Sequence, residues 1–187
     1  MGFAIVLAGG RGSRLGGAKA SVPLEGRPLI AHVLAAVRAG GLEPVVVAKR
    51  DSELPRLGCR VVREPDLPRH PLCGIVAGLR AIAAPAAVVC PTDMPFLEGD
   101  LLAWLHSLPE PLAVVRSAGR LHPLLGRYAA ELLPRLEAML PAQPAMRQVA
   151  EQLGARIVDE RELRRFGDPA RLLANVNTPA GLGSAGG

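Results

Sequence analysis

The chain has 187 residues, with 22 basic against 17 acidic side chains and a formal charge of +5. That length suits one domain and is enough to bury a core without disulfides or a structural metal. A hydrophobic fraction of 49% beside a charged fraction of 21% excludes a disordered chain. Apolar runs such as Ala83 to Cys90 fall far short of the roughly 20 residues of a membrane helix, so no membrane partner is expected.

The segment Met1-Gly2-Phe3-Ala4-Ile5-Val6-Leu7 lacks the basic stretch of a secretory signal, and Gly2 lacks the downstream Ser or Thr of a myristoylation site. Cys59, Cys73 and Cys90 are odd in number and contain no CxxC pair, so they read as buried reduced thiols of a cytoplasmic protein. The basic residues are 20 Arg and two Lys, Lys19 and Lys49, and Asn occurs only as Asn175 and Asn177. A pI near 9.8 points to an anionic partner. The arginines are scattered, and one Trp and one Tyr offer little for base stacking, so a phosphate-rich small molecule is expected rather than nucleic acid.

In chain order, Phe3 to Leu7 is a short apolar run closed by Gly9-Gly10, which predicts a buried strand. Pro28 opens a helix over Leu29 to Arg38, where Ile30, Val33, Leu34 and Val37 follow i, i+3, i+4, i+7, and Gly40-Gly41 closes it. Strands are expected at Pro44–Ala48 and Arg60–Arg63, a helix at Leu72–Ala84, and a strand at Ala86–Cys90. A helix over Gly99–Leu108, strands at Leu112–Arg116 and Leu124–Tyr128, helices at Ala129–Leu140 and Pro144–Leu153, and a strand at Arg156–Val158 complete the pattern. Continuously apolar strands separated by helices predict a three-layer α/β domain with a mainly parallel sheet. Ligands of such sheets bind beyond the carboxyl ends of the strands, so the loops after the first and fourth strands matter most.

After the first strand comes Leu7-Ala8-Gly9-Gly10-Arg11-Gly12-Ser13-Arg14-Leu15-Gly16-Gly17-Ala18-Lys19. Its glycines let backbone N–H groups approach a phosphate, and Arg11, Arg14 and Lys19 add positive charge. It is not a P-loop, because Ala18 and Ala20 flank Lys19. Nor is it a dinucleotide fingerprint, because Leu15 occupies the third glycine position and no acid closes the second strand. Lys49, at the end of that second strand, reads as a solvated lysine. After the fourth strand, Asp93 in Pro91-Thr92-Asp93-Met94-Pro95 is placed to hold Mg²⁺, which binds through one or two carboxylates plus substrate phosphates. An Asx turn or a helix cap is the plainer alternative for that Asp.

Together these segments resemble the nucleotidyltransferases that activate a phosphorylated acceptor, and most closely the molybdenum cofactor guanylyltransferase family. The resemblance rests on Leu7-Ala8-Gly9-Gly10, Arg14-Leu15-Gly16-Gly17 with Lys19, Pro71-Leu72-Cys73-Gly74, Asp93-Met94-Pro95, His122-Pro123-Leu124-Leu125-Gly126-Arg127-Tyr128 and Asn175-Val176-Asn177-Thr178-Pro179. It implies a Rossmann-like nucleotidyltransferase fold with a mixed sheet, in one domain over residues 1–187 with a flexible tail at 183–187. It implies transfer of GMP from GTP to the phosphate of molybdopterin or Mo-molybdopterin, with Mg²⁺ as cofactor. Other molybdenum cofactor proteins or recipient molybdoenzymes are expected as transient contacts.

The implied roles are guanosine contacts from Leu7, Ala8 and Gly9, and phosphate contacts from Gly10, Arg14, Lys19 and the rest of the loop. Asp93 would hold the metal, and Asn175 and Asn177 would meet the pterin or its phosphate, or else form a plain turn. The nucleotide-contacting acid after the third strand is Glu64 or Asp66, with Asp66 favoured. Departures are Ala18 in place of an Asp, a loop one residue shorter, and His70 in place of a Gly. His122, beside Pro123, reads as a surface or cleft-lining residue rather than a base. A related enzyme using CTP or a sugar phosphate, and a non-catalytic nucleotide-binding homologue, remain as competing readings.

Overall fold

The computed structural model describes residues 2–9 and 19–176. In chain order these form β1 (Gly2–Leu7), β2 (Pro23–Leu24), β3 (Arg27–Pro28), α1 (Leu29–Ala39), β4 (Leu42–Lys49), β5 (Arg60–Glu64), α2 (Pro71–Ala81), β6 (Ala86–Pro91) and α3 (Gly99–Ser107). There follow β7 (Leu112–Ser117), β8 (Arg120–Ala129), a 3-10 turn over Ala130–Leu132, α4 (Leu133–Met139), α5 (Met146–Gln152), β9 (Arg156–Val158), α6 (Glu160–Leu163) and α7 (Pro169–Leu172).

Among the described residues the main sheet has seven strands in the order β5-β4-β1-β6-β8-β7-β9. β8 runs against both its neighbours while the other pairings are parallel, so the sheet is mixed but mainly parallel, as the apolar strands predict. In β1 the alternation of the strand divides the core. Ala4 and Val6 face α1 and α3, together with Val46 and Val88. Ile5 faces α2, α4 and α5, together with Val45, Val47 and Val89. All three β1 residues are fully buried. A side chain such as Ile5 contributes roughly 1.5–3 kcal/mol by leaving water.

Several elements differ from the sequence-based expectation, each for a local reason. The helix expected over Leu72–Ala84 stops at Ala81, and Ile82 is already extended; Pro85 disfavours helical backbone just before it. The strand expected at Leu124–Tyr128 starts at Arg120, because Ala118 and Gly119 (φ +48° and +72°) form a two-residue hairpin turn joining β7 to β8. The register slips between Val114 and Val115, so Pro123 falls in a bulge where no ladder N–H is needed. Gly126 sits where a Cβ would lie 2.0 Å from the Ala113 carbonyl oxygen, so the backbones at this bulge approach too closely for any side chain.

The hairpin of β2 and β3 turns the same way at Glu25-Gly26 and was not read from the sequence. Nor were α6 and α7, whose caps are Asp159, with Glu162 completing a capping box, and Asp168 ahead of Pro169. The helix expected over Ala129–Leu140 begins as the 3-10 turn. Of the three thiols, Cys90 alone is buried, and burial pushes its pKa up to about 12; Cys59 and Cys73 are half-buried, which corrects the expectation for those two. No helix of the described residues is long and apolar enough to cross a membrane.

Candidate active site

The parallel strands β1, β4, β5 and β6 end on one side of the sheet, and a cleft of about 290 Å³ opens there. Leu7 and Val47 line its apolar part, and Leu124 of β8 closes one flank. Gly9, Lys49 and Glu64 stand on one side, Thr92 and Asp93 on the other, and the start of α2 borders it through His70, Pro71 and Gly74.

Of the residues singled out in the sequence, Leu7, Gly9, Glu64 and Asp93 line this cleft, as do Pro71, Gly74 and Leu124 of the motif segments. Ala8 is 7% exposed and its N–H donates to the Val47 carbonyl at 2.8 Å, which continues the β1 ladder past the strand end. Lys19 opens a 3-10 turn at Lys19–Ser21. Gly10, Arg14 and Asn177 lie outside the described residues, as does the tail at 183–187. Asn175 has a buried side-chain oxygen that accepts no hydrogen bond among the described residues. The next residue, Val176, donates its N–H to the Asp93 carbonyl at 2.9 Å, so the chain near the C-terminal motif rests against the loop after β6.

Asp66 is held elsewhere. Its carboxylate accepts the Asp51 N–H at 2.9 Å, and the Asp51 carboxylate pairs with Arg69, which ties together the loop around β5. Glu64 is the acid that lines the cleft.

Lys49 corrects the sequence reading most sharply. It is 3% exposed rather than solvated. It ends β4 as the register partner of Glu64 at the end of β5, and Nζ lies 3.3 Å from Glu64 Oε1. Nζ also donates to the Pro68 carbonyl at 2.7 Å. Glu64 is 6% exposed, and its second oxygen, Oε2, is buried with no partner among the described residues. Leaving such an acceptor unsatisfied costs about 1–3 kcal/mol. Burial pushes the Glu64 carboxyl above the usual range, and the Lys49 charge and hydrogen bond pull against that shift. The sequence carries no signal for this pair: the third strand is expected to end at Arg63, and only the β4–β5 register sets Lys49 beside Glu64.

The glycines here pack closely against the cleft residues. A Cβ on Gly9 would lie 3.3 Å from Glu64 Oε1 and 3.4 Å from Lys49 Cγ. One on Gly74 would meet Leu7 Cδ2 at 2.9 Å. His70 caps α2, its Nδ1 accepting the Leu72 N–H at 3.2 Å. Burial lowers its pKa, a bond to the Pro144 carbonyl opposes this, and the nearby Lys49 charge lowers it further. The pKa of His122 is similarly lowered by burial and by Arg120, while the Asp93 charge raises it.

Among the described residues no cluster of three or more His, Cys, Asp or Glu is built to cage a metal. Asp93, a carboxylate at the mouth of β6, nevertheless fits a cation carried in by phosphates, since Mg²⁺ characteristically keeps one or two protein carboxylates. The cleft therefore combines an apolar floor, a buried donor–acceptor pair at one end and a carboxylate at the other.

A family model described as a MobA-like NTP transferase domain matches residues 4–157. A relative from Cereibacter sphaeroides named molybdenum cofactor guanylyltransferase is 39% identical over 149 residues, covering 76% of this chain and 77% of its own. One of the same name from Rhodobacter capsulatus is 36% identical over 188 residues, covering 97% and 93%. Among solved structures, molybdopterin-guanine dinucleotide biosynthesis protein A from Archaeoglobus fulgidus superposes with a TM-score of 0.79 at 27% identity, covering 96% of this chain and 94% of that one.

Proposed function

Because this chain belongs to the MobA-like NTP transferase family, we propose that it transfers GMP from GTP to the phosphate of molybdopterin, or of Mo-molybdopterin, releasing pyrophosphate. The observation that carries this reading is the cleft itself: it lies at the carboxyl ends of the parallel strands, with Leu7 and Gly9 beside the Lys49–Glu64 pair at one end and Asp93 at the other. The purine sits by the pair, and the α-phosphate lies toward Asp93.

The chemistry asks for positioning more than for acid–base groups. A phosphate monoester is largely ionised near neutral pH, so the acceptor oxygen attacks the α-phosphorus directly and pyrophosphate leaves in line. The Gly9–Gly17 loop, Arg14 and Lys19 hold the β- and γ-phosphates and the departing pyrophosphate. Asp93 holds Mg²⁺, which when bound neutralises charge on the triphosphate. Asn175 and Asn177 meet the pterin or its phosphate; the unpartnered Asn175 oxygen, next to the residue that bonds Asp93, supports this. We assign Glu64 rather than Asp66 as the acid that contacts the nucleotide, since Glu64 lines the cleft and the Asp66 carboxylate is taken by the Asp51 N–H.

Pyrophosphate release from GTP in the presence of molybdopterin tests the proposal, with CTP as the alternative donor. Equal or faster release from CTP would overturn it.

A further inference from the structure

The transfer reaction needs no buried ion pair, yet one lies in the cleft. Lys49 and Glu64 are the last registered pair of the β4–β5 ladder and are 3% and 6% exposed. A pair serving the fold alone is expected to have its polar atoms satisfied. Here Glu64 Oε2 has no partner among the described residues. Lys49 Nζ carries three hydrogens, and its bonds within the described residues are to Glu64 Oε1 and the Pro68 carbonyl. The pair borders the Gly9 backbone, where a Cβ would fall 3.3 Å from Glu64 Oε1 and 3.4 Å from Lys49 Cγ. Glu64 Oε1 and the Lys49 stem therefore stand against Gly9, and Oε2 of the same carboxylate is a buried acceptor without a donor among the described residues.

We propose that Lys49 is a specificity-determining residue: its ammonium donates to guanine O6 while Glu64 accepts from N1–H and the 2-amino group. The proposal rests on Glu64 being the nucleotide-contacting acid. Guanine offers an acceptor, O6, beside two donors. Adenine and cytosine reverse this, with an amino donor where O6 would be and a ring lone pair where N1–H would be. Either would face donor with donor and acceptor with acceptor, in a site where buried polar groups left unpaired discriminate strongly. Uracil has the right polarity for the first two contacts but a carbonyl where guanine has its amino group. The same geometry makes Lys49 a positioning residue for Glu64, since its contact with Oε1 fixes the carboxylate in place.

The test is equilibrium binding of GTP and three analogues to the wild type and to Lys49→Met, Lys49→Arg and Glu64→Gln. 6-Thio-GTP replaces O6 with sulfur, a weak acceptor, and keeps N1–H, so it reports on Lys49 alone. ITP lacks the 2-amino group, and XTP replaces it with a carbonyl, so both report on Glu64. The wild type should favour GTP over 6-thio-GTP by about 10- to 100-fold, the range for one well-made base contact. Lys49→Met should abolish that preference, and Lys49→Arg should retain part of it. Glu64→Gln, whose amide has one donor and one acceptor, should weaken GTP and favour XTP.

An undiminished GTP over 6-thio-GTP preference in Lys49→Met overturns the role of Lys49. An unchanged order of GTP, ITP and XTP in Glu64→Gln overturns instead the underlying assignment of Glu64. Should Lys49→Met fail to fold, Lys49→Met/Glu64→Gln, which leaves no uncompensated charge, is compared with Glu64→Gln for loss of the 6-thio-GTP preference, and its persistence overturns the proposal.

Discussion

Replacing Lys49 by Met would remove the partner of a buried carboxylate while keeping most of the side chain's volume. The pair is 3% and 6% exposed, so solvent screens it little, and breaking a buried pair by removing one member costs about 3–5 kcal/mol. For a chain of this size that corresponds to a fall in melting temperature of about 6–20 °C. Glu64 can escape part of the cost by taking up a proton. Its folded-state pKa already lies above the unfolded value, because burial outweighs the opposing Lys49 charge, and removing that charge raises it further.

A carboxyl raised in this way binds its proton more tightly when folded, so its contribution to stability falls as pH rises through the unfolded value toward the folded one. The variant's deficit should therefore be small near pH 5 and grow toward pH 8. Among the described residues, the other ionisable groups near Glu64 include Cys73 of α2 and, along the cleft, His70, Arg69 and Asp93. His70 is held below its ordinary pKa and so is largely neutral over the upper part of this window. Thermal melts of wild type, Lys49→Met, Glu64→Gln and the double variant at pH 5 to 8 give the coupling directly. A deficit that does not vary with pH, or single-variant losses that simply add, would refute the reasoning.

Five further variants have defined outcomes. Asp93→Ala should abolish metal-dependent turnover, and Lys19→Ala should sharply weaken GTP use; pyrophosphate release measures both. Asp66→Ala should leave the KM for GTP near wild type and cost about 1 kcal/mol of stability through the lost Asp51 bond, whereas Glu64→Ala should raise that KM at least 10-fold. Gly126→Ala should destabilise the fold by about 3 kcal/mol or more, because the added methyl meets the Ala113 carbonyl oxygen at 2.0 Å at the β7–β8 bulge; chemical denaturation reads the loss.

The sheet was legible in the sequence because its central strands, such as β4 and β6, are buried on both faces and its helices on one. Runs such as Val45-Val46-Val47 and the Ile30, Val33, Leu34, Val37 stripe carry those patterns without tertiary information. What escaped depended on neighbours distant in the chain or on turn chemistry. Nothing local to Pro123 tells that it sits in a bulge rather than before a strand. The Ala118-Gly119 turn lacks the Asn or Asp that usually marks such a hairpin.

Lys49 was misread for the same reason: its partner lies in the next strand, and only register shows the two ending side by side. Glu64 and Asp66 could not be ranked by spacing, since two residues of loop decide which faces the cleft and which is engaged by Asp51.

Pyrophosphate release with molybdopterin as acceptor, comparing GTP, CTP and ATP in one assay, tests guanylyl transfer most directly. GTP should release one pyrophosphate for each guanine dinucleotide formed, with CTP and ATP near background and nothing released from GTP without acceptor. Release from CTP at the rate of GTP, or tight GTP binding with no pyrophosphate formed, would contradict it.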